Sequence, residues 1–329
     1  MNVTILREAE IRQCVGVDYE ALEAVADGFR RLAEGKATMP PIMRVDVAEN
    51  NGEVDIKSAY LQGLEGFAVK MSSGFFDNRK LGLPSLSGMM ILLSTQTGFP
   101  LAILLDNGYL TDVRTGMAGA LAARYLAPAK VKTAGVIGAG AQARYQMRAL
   151  QLVRGFERVL VYSQPHETAE SYAAEMAKVL GVPVFVEEGA ETVVRQSDVL
   201  VTTTPSKAPI VRAQWLHAGL HITAMGADAE EKQELHADVF AHADVVVCDR
   251  KSQALRLGEL HHAREAGMLP EDDEIVELGE LVAGSREGRH NEEQITVCDL
   301  TGTGVQDTAI ALLAYRKAQD RGLGIEIDT

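Results

Sequence analysis

The segment Val136-Ile137-Gly138-Ala139-Gly140-Ala141-Gln142-Ala143 sits between an apolar run and a helical pattern. At a strand-to-helix junction, GxGxxA is the spacing of a pyrophosphate site. The first glycine makes the tight turn, the second lets the anion approach the backbone, and the small third residue permits close helix–strand packing. The N–H groups at the helix start favour negative charge. Gly138, Gly140, Ala141 and Gln142 are therefore expected to contact a dinucleotide; a glycine-rich structural turn is the bland alternative. A second apolar run, RVLVYS, ends in Ser163-Gln164-Pro165-His166. An acid there would hold a ribose diol, and a nearby arginine would accept a 2′-phosphate. Neither is present. Ser163 can bond either group, so NAD is expected because no guanidinium is at hand, with NADP left open.

Metal chemistry is not expected. His217 and His221 are four apart, but Gly219 between them breaks helical spacing, and His261-His262 are expected on different faces of a helix. No HExxH or cysteine pair occurs. Cys14, Cys248 and Cys298 lack metal spacing and cannot form a disulfide framework, which points to a reducing cytoplasm. Cys248 and Cys298 read as core residues rather than nucleophiles.

The formal charge of −14, with no run of lysine and arginine, disfavours nucleic acid as a partner. The acidic residues of MNVTILREAEI argue against a signal peptide, and no run approaches the ~18 apolar residues of a membrane helix. Glu271-Asp272-Asp273-Glu274 reads as a solvated loop.

Periodicity supplies the scaffold. Leu22, Val25, Ala26, Phe29 and Leu32 form one helical stripe with Asp18 as its cap. From about residue 42 to 106, short apolar runs alternate with turn residues such as Asn51-Gly52, the pattern of an antiparallel sheet. A helix over LTDVRTGMAGALAARYLA is expected to be capped near Thr111 or Asp112 and to stop before Pro128. From 131 onward, apolar strands alternate with helices, as in a parallel sheet covered on both faces. The last helix, about 305–319, is apolar on one side.

Seven segments then occur in order: Pro40-Pro41…Arg44, Gly66-Phe67-Ala68-Val69-Lys70, Leu81-Gly82-Leu83-Pro84, Leu110-Thr111-Asp112-Val113-Arg114-Thr115, Gly138 to Ala143, His221 to Asp228, and Leu300 to Asp307. With them the chain resembles the ornithine cyclodeaminase/mu-crystallin family along nearly its whole length. The resemblance implies an α/β protein, a Rossmann dinucleotide-binding domain joined to an α+β domain for substrate binding and dimerisation. The expected boundaries are 1–126 for the sheet domain, 127–301 for the Rossmann domain, and 302–329 for a helix returning to the first domain. A homodimer is expected. Within the family the chain is most similar to bacterial ectoine-utilisation cyclodeaminases and iminosuccinate reductases.

The same resemblance implies roles. Arg44, Lys70 and Arg114 match substrate-carboxylate binders, which suits the bidentate grip of a guanidinium on a carboxylate; the bland alternative is that each is a surface or ion-paired residue. Asp228 matches the catalytic aspartate, with Lys70 also catalytic; a cap for a helix over AEEKQELH is the alternative for Asp228. Ala227 departs from the Gly-Gly-Asp of many members. Thr111, Thr301 and Gly302 join the cofactor contacts, the alternative for Thr301-Gly302 being simply the turn before the final helix. Lys57 lies thirteen residues before Lys70, where ornithine cyclodeaminases have a glutamate that meets the substrate's distal ammonium. A lysine there repels an ammonium and fits a second carboxylate. Its alternative is an outward-facing strand lysine paired with Asp55 or Glu53. The implied function is an NAD(P)H-dependent imino-acid reductase that forms an L-amino acid from a dicarboxylic imine, iminosuccinate giving L-aspartate. An ammonia-releasing cyclodeaminase is the second reading, and a binding protein without activity the third.

Overall fold

A computed structural model describes residues 2–269, 271 and 274–328. Asp272 and Asp273 of the acidic run lie outside the described residues. The chain divides into two compact units, Met1–Arg114 with Thr303–Thr329, and Thr115–Gly302.

The first unit begins with β1 (Asn2–Arg7), α1 (Glu8–Cys14), α2 (Tyr19–Ala33), β2 (Ala37–Thr38), β3 (Met43–Val47), β4 (Gly52–Leu61), β5 (Gly66–Phe75), β6 (Leu86–Ser94) and β7 (Pro100–Leu105). Asp18 caps α2, its Oδ1 accepting from the Ala21 N–H at 2.9 Å, and the predicted stripe from Leu22 to Leu32 is buried. Strands β3 to β7 pair antiparallel, as the alternation predicts. Strand β1 is an addition to that expectation: it pairs parallel with β7. Its short VTILR run carries no turn residues to mark it.

Helix α3 (Tyr109–Leu126) starts earlier than its predicted cap. The carboxylate of Asp106 accepts from the N–H of Leu110 at 2.7 Å and of Gly108 at 3.3 Å. Asn107 and Gly108, at φ 53° and 88°, make the turn between strand and helix. Asp106 therefore caps the helix, in place of Thr111 or Asp112.

The second unit comprises β8 (Thr133–Ile137), α4 (Ala141–Val153), β9 (Arg158–Tyr162), α5 (His166–Leu180), β10 (Val184–Val186), α6 (Ala190–Gln196), β11 (Val199–Thr202), β12 (His221–Ala224), α7 (Asp238–Ala241), β13 (Val245–Cys248), α8 (Lys251–Leu257), α9 (Glu259–Glu265), β14 (Val276–Glu277), α10 (Leu278–Ala283) and β15 (Thr296–Asp299). Its eight strands are parallel in the order β10-β9-β8-β11-β12-β15-β13-β14. Side chains alternate between two cores, Val136 in one and Ile137 in the other. Apolar strands covered on both faces have no polar side, which explains their continuous hydrophobic runs. The order reverses between β8 and β11, so the Rossmann switch point falls at the loop after β8.

The chain then completes the first unit with α11 (Gly304–Asp320) and β16 (Ile325–Asp328), which pairs with β1. Helix α11 lies tightly against the β4–β5 hairpin: a Cβ on Gly304 would stand 2.4 Å from the Ser58 carbonyl oxygen. The Thr308 hydroxyl donates to the Ala59 carbonyl at 2.7 Å and accepts from the Ala68 N–H at 3.0 Å. Among the described residues, no helix is long and apolar enough to cross a membrane.

Candidate active site

Register brings the cations of the first unit together. Lys57 on β4 stands directly opposite Lys70 on β5, and Arg44 on β3 stands opposite Asp55, two residues from Lys57. Partners across an antiparallel pair share a face, as do residues two apart on a strand. Arg44, Lys57 and Lys70 therefore lie on one side of the sheet, the side whose next positions, Ala59 and Ala68, are fully buried. Lys57 is 6% exposed and Lys70 1%. The outward-facing reading of Lys57 is thus overturned by the parity of the strand.

Asp307 of α11 holds this set together. Its two oxygens ion-pair with Lys70 Nζ at 3.1 Å and Arg114 Nε at 3.0 Å, and the carboxylate is completely buried. Arg114 also donates from Nη1 to the Gln306 Oε1 at 2.8 Å. Burial, and next the Arg114 charge, lower the Lys70 pKa to about 7, with Asp307 opposing them. The neighbouring cations overcome the desolvation of Asp307 and hold its carboxyl below the usual range. Asp106, the cap of α3, is raised to about 6 by burial, partly offset by its backbone N–H bonds.

Arg44 is differently placed. It donates to Asp46 Oδ1 at 2.9 Å and also bonds Glu53, and its side chain is 29% exposed. It shares the cluster's face but is already paired with two carboxylates, so any grip on substrate competes with them.

In the second unit the glycine loop has the geometry of an anion cradle. Gly138 sits at φ 101°, a conformation that favours glycine, and a Cβ there would meet Thr203 Oγ1 at 2.7 Å. Gly140 caps α4 without a side chain, and a Cβ on it would meet nothing within 4 Å. The space a phosphate needs is open where the first-turn N–H groups lack helical partners. Arg144 fixes the other side of the loop, donating to the Ala139 and Gly140 carbonyls at 2.7 and 3.0 Å. Ala141 and Gln142 follow in the first turn of α4. At the end of β9, Ser163 accepts from the Thr168 hydroxyl at 3.1 Å, beside the start of α5.

Asp228 follows β12 in a turn, and residues 229–236 form no helix, so the cap alternative falls. Its Oδ1 instead meets Lys232 Nζ at 2.6 Å, with the Asp228 side chain 44% exposed. Ala227 is buried. The loop is tied by Glu234, fully buried, which accepts from the Thr202 hydroxyl at 2.6 Å and from the N–H of Thr204 and Gly226 at 2.5 and 2.8 Å. Asp249 does the same for the segment after β15. It accepts from the N–H of Thr301 and Gly302 at 2.9 and 2.6 Å, and from the Thr301 hydroxyl at 3.0 Å. That hydroxyl is committed to the turn. Thr111, by contrast, has a buried hydroxyl oxygen with no partner among the described residues.

Asp106, Glu234, Asp249, Gln306 and Asp307 carry this architecture, and none was singled out from sequence. Isolated acids and amides have no local spacing that marks them. The two adjacent histidines also differ from expectation. His261 and His262 do not diverge; their ring centroids are 5.1 Å apart, and with Glu265 they place three donor atoms within 4.8 Å of one another. His262 Nε2 already bonds the Lys232 carbonyl at 2.8 Å.

A parallel sheet reversing at a glycine loop in the second unit, with buried cations in the first, defines a dinucleotide-dependent oxidoreductase. The ornithine cyclodeaminase/mu-crystallin family profile matches residues 1–322, and the chain belongs to that family. An uncharacterised cyclodeaminase from Sinorhizobium fredii is 50% identical over 98% of both chains. The solved Delta(1)-pyrroline-2-carboxylate reductase of Thermococcus litoralis, in complex with NADH and L-proline, is 34% identical with a TM-score of 0.93, over 99% of this chain and 100% of that one. The iminosuccinate reductase of Paracoccus denitrificans, in complex with NAD+, is 32% identical with a TM-score of 0.91, over 100% of both.

Proposed function

We propose that the chain is an NADH-dependent reductase of a dicarboxylic imine, converting iminosuccinate to L-aspartate. The observation that carries this reading is Lys57, buried and directly opposite Lys70. Like charges facing each other across a strand pair are destabilising, so the pair calls for anions. Arg114 and Lys70 hold the α-carboxylate, and Lys57 meets the distal one. Arg44 supports them from the rim. Asp228 protonates the imine nitrogen when its carboxyl carries the proton, or as a carboxylate accepts a hydrogen bond from the protonated imine, and Lys232 orients it. The iminosuccinate reductase of Paracoccus denitrificans is a relative with this activity in its name.

The glycine loop fits a dinucleotide: Gly138, Gly140, Ala141 and Gln142 take the pyrophosphate, Ser163 the adenosine ribose, and Thr111, Thr301 and Gly302 the nicotinamide end. When bound, NADH supplies the hydride that reduces the C=N carbon. The residues of the chain orient the imine, balance its charge and deliver the proton.

A cyclodeaminase is the second reading, favoured by the Sinorhizobium fredii relative's name. It needs a substrate with a terminal amine, which Lys57 repels. The assembly proposed is a homodimer through the outer face of the first sheet, where Met43, Val45, Tyr60, Met89 and Leu105 are exposed on one side. A contiguous apolar face of this kind marks an interface. A cytoplasmic location suits three buried free cysteines.

The test is absorbance at the reduced-nicotinamide band with oxaloacetate plus ammonia, pyruvate plus ammonia, and a cyclic imine, each with NADH and NADPH. Preferred oxidation of NADH with oxaloacetate and ammonia is expected. Ammonia release from a diamino acid without net change in NADH would assign the cyclodeaminase instead.

A further inference from the structure

We infer that Gln306 is a further substrate-binding residue, its side-chain amide N–H donating to the carboxylate that Arg114 and Lys70 hold. The inference rests on the carboxylate-binding reading of the cluster. Arginine has donors and no acceptor, so the contact from Arg114 Nη1 fixes which end of the Gln306 amide is oxygen. The other end, Nε2, is then a donor of known orientation. Gln306 is 0% exposed, and its Nε2 has no hydrogen-bond partner among the described residues.

A buried donor without an acceptor is unfavourable, and natural interiors rarely keep one without a use. The side chains that build the cluster cannot meet the need. Arg114, Lys70 and Lys57 are themselves donors, and the two oxygens of Asp307 face Lys70 and Arg114 in ion pairs and take no hydrogen bond from Gln306. An acceptor brought by a ligand would satisfy Nε2. The cations select an anion, and a carboxylate has lone pairs enough for a guanidinium, an ammonium and an amide together. Glutamine suits the position better than an acid, because it ties down Arg114 without adding a negative charge that would repel the ligand.

The test compares Gln306→Met and Gln306→Glu with the wild-type enzyme. The methionine variant keeps the volume and removes both amide functions; the glutamate variant keeps an acceptor for Arg114 and removes only the donor. With iminosuccinate formed from oxaloacetate and ammonia, KM should rise by about ten- to a hundredfold in Gln306→Met, the range for a hydrogen bond to a charged group. Gln306→Glu should be at least as impaired, since its carboxylate faces the substrate's. The Kd of NADH, read by fluorescence, should hold in both. Calorimetric binding of L-aspartate in the presence of NAD should weaken in parallel with KM.

If Gln306→Glu restores wild-type KM and aspartate affinity, the residue only positions Arg114 and the inference is overturned. Should the methionine variant not fold, the glutamate variant alone decides by the same criterion. Wild-type enzyme that reduces iminosuccinate beside unaffected variants would sink the inference and leave the proposed function standing. Wild-type enzyme that binds aspartate but reduces no imine would sink the function, and the calorimetry would still decide the role of Gln306. A chain that neither binds aspartate nor reduces an imine would overturn both.

Discussion

The two halves of the chemistry are built by opposite means. The glycine loop of the second unit offers its ligand backbone and empty space: Gly140 has nothing within 4 Å of where its Cβ would be. The cation cluster of the first unit offers side chains packed into the interior, with Lys70 1% exposed and Asp307 at 0%. A backbone cradle is stable without its ligand, because peptide dipoles carry no net charge to desolvate. Buried ammonium groups are not; they need a carboxylate in place from the start, and Asp307 supplies it. Substitution in the loop should therefore separate ligand binding from folding, whereas substitution in the cluster should mix the two.

The largest expected effect tests the loop. Gly140→Leu should raise the Kd for NADH by ~100-fold or more, since the side chain fills the pyrophosphate position. Its melting temperature should stay near wild type, because φ is −82° and the Cβ meets open space. Gly138→Ala should do the reverse and lower the melting temperature, through positive φ and the Thr203 contact. If both variants lose stability equally, the loop is structural throughout.

Next comes Lys57→Glu. Loss of a charge-assisted contact should lower kcat/KM for iminosuccinate by roughly ten- to a hundredfold, and the new repulsion should push it further. A monocarboxylic imine has no distal charge and should change little. Equal losses with both substrates would reassign Lys57 to the fold. A smaller effect is expected from Arg114→Lys, which keeps the charge and loses the planar fork. Substrate KM should rise about tenfold while NADH affinity holds, a loss of ~1.4 kcal/mol. Unchanged steady-state parameters would make Arg114 structural.

The smallest effect is a pH dependence. Lys70 titrates near 7, against an ordinary value of 10.5. Below about 7 it is an ammonium that attracts the carboxylate; above, it is a neutral amine. KM for the imine should therefore climb from about pH 7 upward, by at most tenfold per unit. Lys70→Arg should flatten the profile up to pH 9. Stability runs the other way: between 7 and 10.5 the unfolded chain binds the extra proton, so this group's contribution to stability improves as pH rises. A flat wild-type KM profile would show that Lys70 stays charged.

The comparison also explains what sequence could reveal. The loop was legible because its chemistry lies in adjacent residues and its strand and helix flank it. The parallel sheet was legible from its uninterrupted apolar strands. Lys57 and Lys70 were visible as cations, but their juxtaposition belongs to the hairpin register. The turn at Gly63, with φ 86°, would have predicted it, since Lys57 and Lys70 are nearly equidistant from it. Asp307 and Gln306 had no such route. They reach Lys70 and Arg114 from a helix about 190 to 240 residues away, and a single acid or amide in an apolar helix carries no periodic mark. Asp106 is hidden in the sequence for a related reason: Thr111 and Asp112 are also good capping residues, and the positive-φ turn at Asn107-Gly108 decides between them.

The position of α11 has a consequence for how the protein comes into being. During translation the lysines and Arg114 leave the ribosome early, and their counter-ion follows only after the entire nucleotide-binding unit has been synthesised. N-terminal segments generally begin folding first. Here the nascent hairpin cannot bury its two facing ammonium groups at a tolerable electrostatic cost until Asp307 emerges. The first unit to be started is thus the last to be finished, and a ribosome stalled before residue 303 would hold a chain unable to close its cation cluster.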